Sequence, residues 1–135
     1  MKSYKDGKPC GVAESYYEDG KLKSKWGYKD SKQHGITKYY YYENGKLKYE
    51  KNYKNGKLNG KLKWYYDNGQ LRSEENYNND KQCEATKGYY ENGNLKWKGN
   101  YKNGKRYGVF RWYYESGELK SKWDFKNGES GKIVW

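Results

Sequence analysis

Apolar and polar positions in this chain follow a recurring order. Tyr-Tyr-x-Asn/Asp/Ser-Gly-x-Leu-Lys/Arg appears at Tyr16–Lys23, Tyr41–Lys48, Tyr65–Arg72, Tyr89–Lys96 and Tyr113–Lys120. A second set of aromatics, Tyr4, Tyr28, Tyr53, Tyr77, Tyr101 and Phe125, each precedes a short polar turn. Gly11, Gly35, Gly60, Gly108 and Gly131 follow those turns, and Glu84 fills the place in the fourth unit. Turn signals thus fall roughly every twelve residues, between segments where aromatic or Leu side chains alternate with Lys. This predicts a meander of β-hairpins: residues 1–135 form a single repeat domain of about five 24-residue units with partial units at the ends. Helix is disfavoured, because Gly and Asn interrupt every unit and no apolar set persists at a spacing of three or four.

A two-residue type I′ turn needs positive φ at both central residues, which suits Asn-Gly and Asp-Gly. With Asn68-Gly69 as such a turn, Asp67 faces Gln70, Tyr66 faces Leu71, Tyr65 faces Arg72 and Trp64 faces Ser73. Side-chain alternation then puts Gly60, Leu62, Trp64, Tyr66, Leu71 and Tyr77 on one face, read as the packed one. By the same register it gains Tyr17, Leu22 and Trp26, Tyr42, Leu47 and Tyr49, Tyr90, Leu95 and Trp97, and Tyr114, Leu119 and Trp123. Lys61, Lys63, Tyr65, Arg72 and Glu74 share the other face. The segment from Gly35 to Tyr42 is one residue longer than its counterparts, and a bulge between Ile36 and Tyr40 is expected to absorb it.

Composition changes this picture in two respects. An apolar fraction of 33% with a mean hydropathy of -1.60 suits a disordered chain, but 19 Tyr and 6 Trp supply large amphipathic side chains for a thin ordered sheet. The expected fold is therefore all-β: an elongated single-layer antiparallel sheet of ten or eleven strands, roughly 50 Å long. The net charge of +12 points to an anionic partner, while the same lysines also keep a flat sheet soluble. No apolar run approaches the ~20 residues of a membrane span. The expected location is cytoplasmic, a secreted form lacking its leader being the alternative. Cys10 and Cys83 lie three repeats apart, about 29 Å at two strands per repeat, too far for a disulfide.

On the face opposite the packed one, the hairpin register pairs Tyr16 with Lys23, Tyr41 with Lys48, Tyr65 with Arg72, Tyr89 with Lys96, and Tyr113 with Lys120. This aromatic-cation ladder is the candidate binding surface, each pair worth roughly 0.5–1 kcal/mol where exposed. The blander reading is that the rings shield backbone hydrogen bonds and the lysines solubilise them. The turn acids Glu18, Glu43, Asp67, Glu91 and Glu115 are a repeat apart and read as solvated, not as a metal cage. His34 is the single histidine, and no nucleophile–base set, phosphate loop or metal spacing accompanies it. Neither a catalytic site nor a cofactor is expected. An acidic protein is the expected partner, with anionic lipid as the alternative and a structural spacer as a third reading; nucleic acid ranks lower. Neither Met1–Tyr4 nor Ile133–Trp135 reads as a dedicated polar cap, and the two expectations are end-to-end self-association or continuation in a longer chain.

The third unit, Gly60-Lys-Leu-Lys-Trp-Tyr-Tyr-Asp-Asn-Gly-Gln-Leu-Arg-Ser-Glu-Glu-Asn-Tyr77, and the fifth, from Gly108 to Gly128, resemble the bacterial variant of the MORN repeat. The resemblance covers practically the whole chain. It implies a MORN-like repeat solenoid of consecutive hairpins. Proteins carrying this variant are often labelled antitoxins of toxin-antitoxin pairs, and more distant MORN proteins are associated with membrane junctions, phospholipid and scaffolding. It carries over no catalytic residue, because the Tyr-Tyr and Asn-Gly positions are structural signatures. Aromatic-glycine repeats of choline-binding type are the rival, but their period is shorter.

Overall fold

The computed structural model describes the backbone of residues 2–5, 8–41, 43–126 and 128–133, and the side chains within 11–41, 43–126 and 128–129. Twelve strands form one sheet in chain order. They are β1 (Lys2–Lys5), β2 (Lys8–Tyr16), β3 (Leu22–Lys29), β4 (Lys32–Tyr40), β5 (Leu47–Lys54), β6 (Lys57–Tyr65), β7 (Leu71–Asn78), β8 (Lys81–Tyr89), β9 (Leu95–Lys102), β10 (Lys105–Tyr113), β11 (Leu119–Lys126) and β12 (Glu129–Ile133). Every neighbouring pair is antiparallel, and no helix occurs among the described residues. The all-β hairpin sheet expected from the sequence is therefore the fold. The strand number exceeds expectation because the terminal segments β1 and β12 also pair.

Two kinds of turn alternate along the chain, one at each edge of the strands. Asn55-Gly56 has φ of 51° and 82°, and Lys54 pairs with Lys57, so this is the two-residue turn with both φ positive. Asp30-Ser31, Asn79-Asp80 and Asn103-Gly104 have the same sign pattern. Asn68-Gly69 differs, correcting the turn expected there. Only Gly69 has positive φ, the Tyr66 N–H donates to the Gln70 carbonyl at 2.8 Å, and the Gly69 N–H donates to the Tyr66 carbonyl at 3.0 Å. The loop is thus three residues, Asp67 to Gly69, and the Asn68 side chain accepts the Gln70 N–H at 2.8 Å. Asp19, Asn44, Asn92 and Ser116 make the equivalent contact two residues on, which is why a short oxygen-bearing side chain precedes the glycine in every unit.

The longer loop changes the first rung of each hairpin. Tyr65 faces Leu71, not Arg72, and a bulge restores Trp64 opposite Ser73. The extra residue of the second unit is not a bulge between Ile36 and Tyr40. The register there shifts at Tyr39/Tyr40, as at the matching place in other units, and the Tyr41 N–H reaches the Lys46 carbonyl across a longer loop. A loop accepts an added residue at little entropic cost, whereas a mid-strand insertion breaks ladder hydrogen bonds. Tyr42 itself lies outside the described residues.

Among the described residues every buried one, namely Ser24, Thr37, Leu62, Ser73, Thr86, Gly88, Gly99, Phe110 and Phe125, falls on one face by register. Large rings on that face lie over small neighbours. The Trp97 ring covers Gly88 and Phe110 covers Gly99, each so closely that a Cβ would sit 2.4 Å from the ring. Across adjacent strands Tyr39 stacks on Tyr49, and Tyr49 meets Trp64 at a tilt of 48°, with centroids 4.7 Å apart at each step. This aromatic face is the core of the single-layer sheet.

Candidate functional site: a cation-capped tyrosine edge

The turns closed by an Asn, Asp or Ser side chain line one edge of the sheet, and each follows a tyrosine whose ring a cation covers. Lys23 lies 5.8 Å from the Tyr17 ring, Lys48 5.6 Å from Tyr41, Arg72 5.7 Å from Tyr66, Lys96 5.3 Å from Tyr90 and Lys120 5.8 Å from Tyr114. All five expected cations are thus in the ladder, but only Tyr41 among the expected rings is. Tyr16, Tyr65, Tyr89 and Tyr113 give way to the tyrosine that follows each of them. The cause is the first rung: Leu22, Leu71, Leu95 and Leu119 stand opposite those four tyrosines, and the next residue, the cation, reaches the loop tyrosine.

The displaced tyrosines do different work. The Tyr16 hydroxyl donates to Glu14 at 2.6 Å, and this hydrogen bond raises its pKa. Tyr65 lies by alternation from Trp64 on the face away from the aromatic core, and its pKa is raised first by burial and then by the nearby charges of Glu50 and Glu74. The loop tyrosines instead border that core. A cleft of about 320 Å³ between successive units is lined by Tyr90, Lys96, Trp112, Tyr113, Lys120, Ser121 and Trp123. Another, of about 370 Å³, is lined by Tyr17, Tyr41, Glu43, Asn44, Lys48 and Asp67. The ladder therefore stands on the rim of the aromatic face, not on the opposite face as the two-residue turn implied.

Four of the five rings are also fixed from the far end. The hydroxyls of Tyr17, Tyr41, Tyr66 and Tyr90 donate to the carbonyls of Tyr40, Tyr65, Tyr89 and Tyr113 at 2.8, 2.7, 2.6 and 2.6 Å. Each bond joins one unit to the next. At the other edge, the backbone N–H groups of Gly56, Asp80, Gly104 and Gly128 donate to Gln33, Leu58, Gln82 and Arg106 of the preceding unit. Consecutive units are therefore tied at both edges, as expected of a stack with nearest-neighbour coupling.

This double tie is what the Tyr-Tyr-x-Asn-Gly spacing encodes, and the MORN repeat variant matches at residues 9–30, 33–55, 58–79, 85–103 and 106–127. The chain belongs to the MORN repeat variant family. No curated protein matches it. MORN repeats make a scaffold, and the recurring geometry of the unit within this chain accounts for the stack without assigning a ligand.

The remaining chemistry is sparse. The turn acids Glu18, Glu43, Asp67, Glu91 and Glu115 are exposed, and no group of three or more His, Cys, Asp or Glu that could hold a metal ion occurs among the described residues. His34 Nδ1 accepts the Asn55 N–H at 3.4 Å. Cys83 is a free thiol whose pKa is raised by burial and then by Glu84, which disfavours the reactive thiolate. The Cys10 side chain lies outside the described residues.

Proposed function

We propose that this MORN protein is a noncatalytic protein-binding scaffold, acting as an antitoxin-like neutraliser that covers a partner's working surface. The observation that carries this reading is the row of five cation-capped tyrosines, one per unit, along a single edge. Four of the rings are held at both ends, by a cation over the face and a hydrogen bond at the hydroxyl. Such rings lose little conformational entropy on binding and present rigid amphipathic area, the property that makes tyrosine an effective interface anchor. The clefts between units then offer repeated sockets for partner side chains. A net charge of +12 favours an acidic partner and speeds encounter.

Anionic lipid is the weaker alternative, because Glu18, Glu43, Asp67, Glu91 and Glu115 stand exposed in the same turns as the ladder. A planar anionic surface meets those carboxylates together with the cations. The test is capture of partners from source lysate by tagged protein, beside a variant carrying Tyr66→Ala and Tyr90→Ala, with anionic-liposome sedimentation in parallel. A stoichiometric protein that persists at moderate salt and is lost with the variant is the expected result. Salt-sensitive liposome binding without such a protein overturns the reading.

A further inference from the structure

On the face away from the aromatic core, one cross-strand row is charged from end to end. It runs Glu14, Lys25, Lys38, Glu50, Lys63, Glu74, Lys87, Lys98, Arg111 and Lys122, each residue directly paired with the next across neighbouring strands. As far as Lys87, acids and bases face one another, apart from Lys25 opposite Lys38. Beyond that point three consecutive pairs are like-charged: Lys87 with Lys98, Lys98 with Arg111, and Arg111 with Lys122. Like charges directly opposite on a sheet are destabilising. Among the described residues no carboxylate lies within ion-pair distance of any of the four, whereas Glu74 pairs with Lys61 at 3.1 Å.

We infer that this cationic row, confined to β8–β11, is a docking surface for a short acidic segment of a partner protein. The row spans three strand steps, roughly 14 Å. That matches the carboxylates on two turns of an acidic helix, or on about four to five residues of extended chain. Its inner end is closed by Glu74, with Glu50 beyond, so a long polyanion continuing across the sheet meets carboxylates. That bounded length selects an acidic protein segment over a nucleic acid strand. Binding supplies the opposite charges the row lacks, and so removes a repulsion built into the free fold. The inference rests on the protein-binding reading for the class of partner, but its location is independent of the tyrosine edge.

The test uses full-length protein and a fluorescent oligoglutamate of about eight residues at low and moderate salt. In one variant, Lys98→Glu with Lys122→Glu turns the row into alternating charges. In a matched control, Lys29→Glu with Lys54→Glu makes the same change in net charge and also relieves like-charged pairs, Lys29 with Lys32 and Lys54 with Lys57, at the far edge. The row variant is expected to bind oligoglutamate at least about tenfold more weakly while melting no lower than wild type, and the control to bind within about twofold. Lys98→Gln with Lys122→Gln gives the same direction if the reversal disturbs folding. Equal weakening in row variant and control, or no binding by wild type, overturns the inference. So does tighter row-dependent capture of an oligothymidylate of matched length or of phosphatidylserine vesicles. If Tyr66→Ala with Tyr90→Ala removes oligoglutamate binding and the row variant does not, the placement fails while the protein-binding reading stands.

Discussion

The Tyr66 hydroxyl donates to the Tyr89 carbonyl at 2.6 Å, tying one unit to the next through the ring that Arg72 covers. Removing the hydroxyl leaves a half-buried carbonyl without that donor. Tyr66→Phe is therefore expected to lower unfolding stability by about 1 kcal/mol in urea denaturation. Tyr114→Phe is the comparison, because Tyr114 is 50% exposed and makes no such bond among the described residues. Equal losses at the two positions contradict the role given to the inter-unit bond.

The hairpin order, the aromatic face and the pairing of Gly60 with Tyr77 were legible because they depend only on the two-residue alternation and the unit length. What escaped was local to one edge. Asn55-Gly56 and Asn68-Gly69 are the same dipeptide in different turns. The loop at Asn68 contains one residue more, and the bulge beside Leu71 takes one back, so both turns leave Trp64 opposite Ser73. That cancellation protected the face assignment while misplacing every rung nearest the loop. The ladder followed the error, moving from Tyr65 to Tyr66 and from the polar face to the aromatic rim. The acid before each Asn-Gly and the oxygen-bearing side chain within it were the available signal, since they suit a three-residue loop closed by a side chain. The charged row beginning at Glu14 could be seen only once the second, between-hairpin register was known, because its members come from every strand from β2 to β11.

Glu84 occupies the place that glycine holds in other units, with φ of 56°, while Gly60 and Gly108 have φ of 105° and 72°. A side chain in the left-handed region costs about 1 kcal/mol or somewhat more. Glu84→Gly should raise the urea midpoint by the equivalent of about 1 kcal/mol at unchanged m-value. The same change relieves the Coulombic part of the rise in the Cys83 pKa, so alkylation of Cys83 should quicken. A lower midpoint counts against backbone strain at this position.

Phe110 is 2% exposed and lies across Gly99, where a Cβ would stand 2.4 Å from its ring. Its ring also packs edge-on against Phe125 at 5.1 Å and Tyr101 at 5.7 Å, so it has little room to yield. Gly99→Ala should cost about 1–3 kcal/mol through overpacking. In a Phe110→Leu background the added methyl should cost less, a coupling that a double-mutant cycle detects. Strict additivity of the two changes removes the steric explanation.

Burial raises the phenol pKa of Tyr49, Tyr53 and Tyr77 above the ordinary 10.0, with Tyr39, Asp80 and the hydrogen bond to Glu75 adding to it in turn. The folded state therefore holds these protons more tightly than the unfolded chain. Their contribution to stability is full below about pH 10, the unfolded value, and is lost as pH rises through the higher folded values. Wild-type protein should accordingly unfold at lower urea at about pH 11 than at about pH 9. Tyr49→Phe with Tyr77→Phe should flatten that decline, whatever it does to stability at neutral pH. Lysine deprotonation is common to both proteins and cancels in the comparison. Parallel declines in the two proteins exclude these tyrosines as its source.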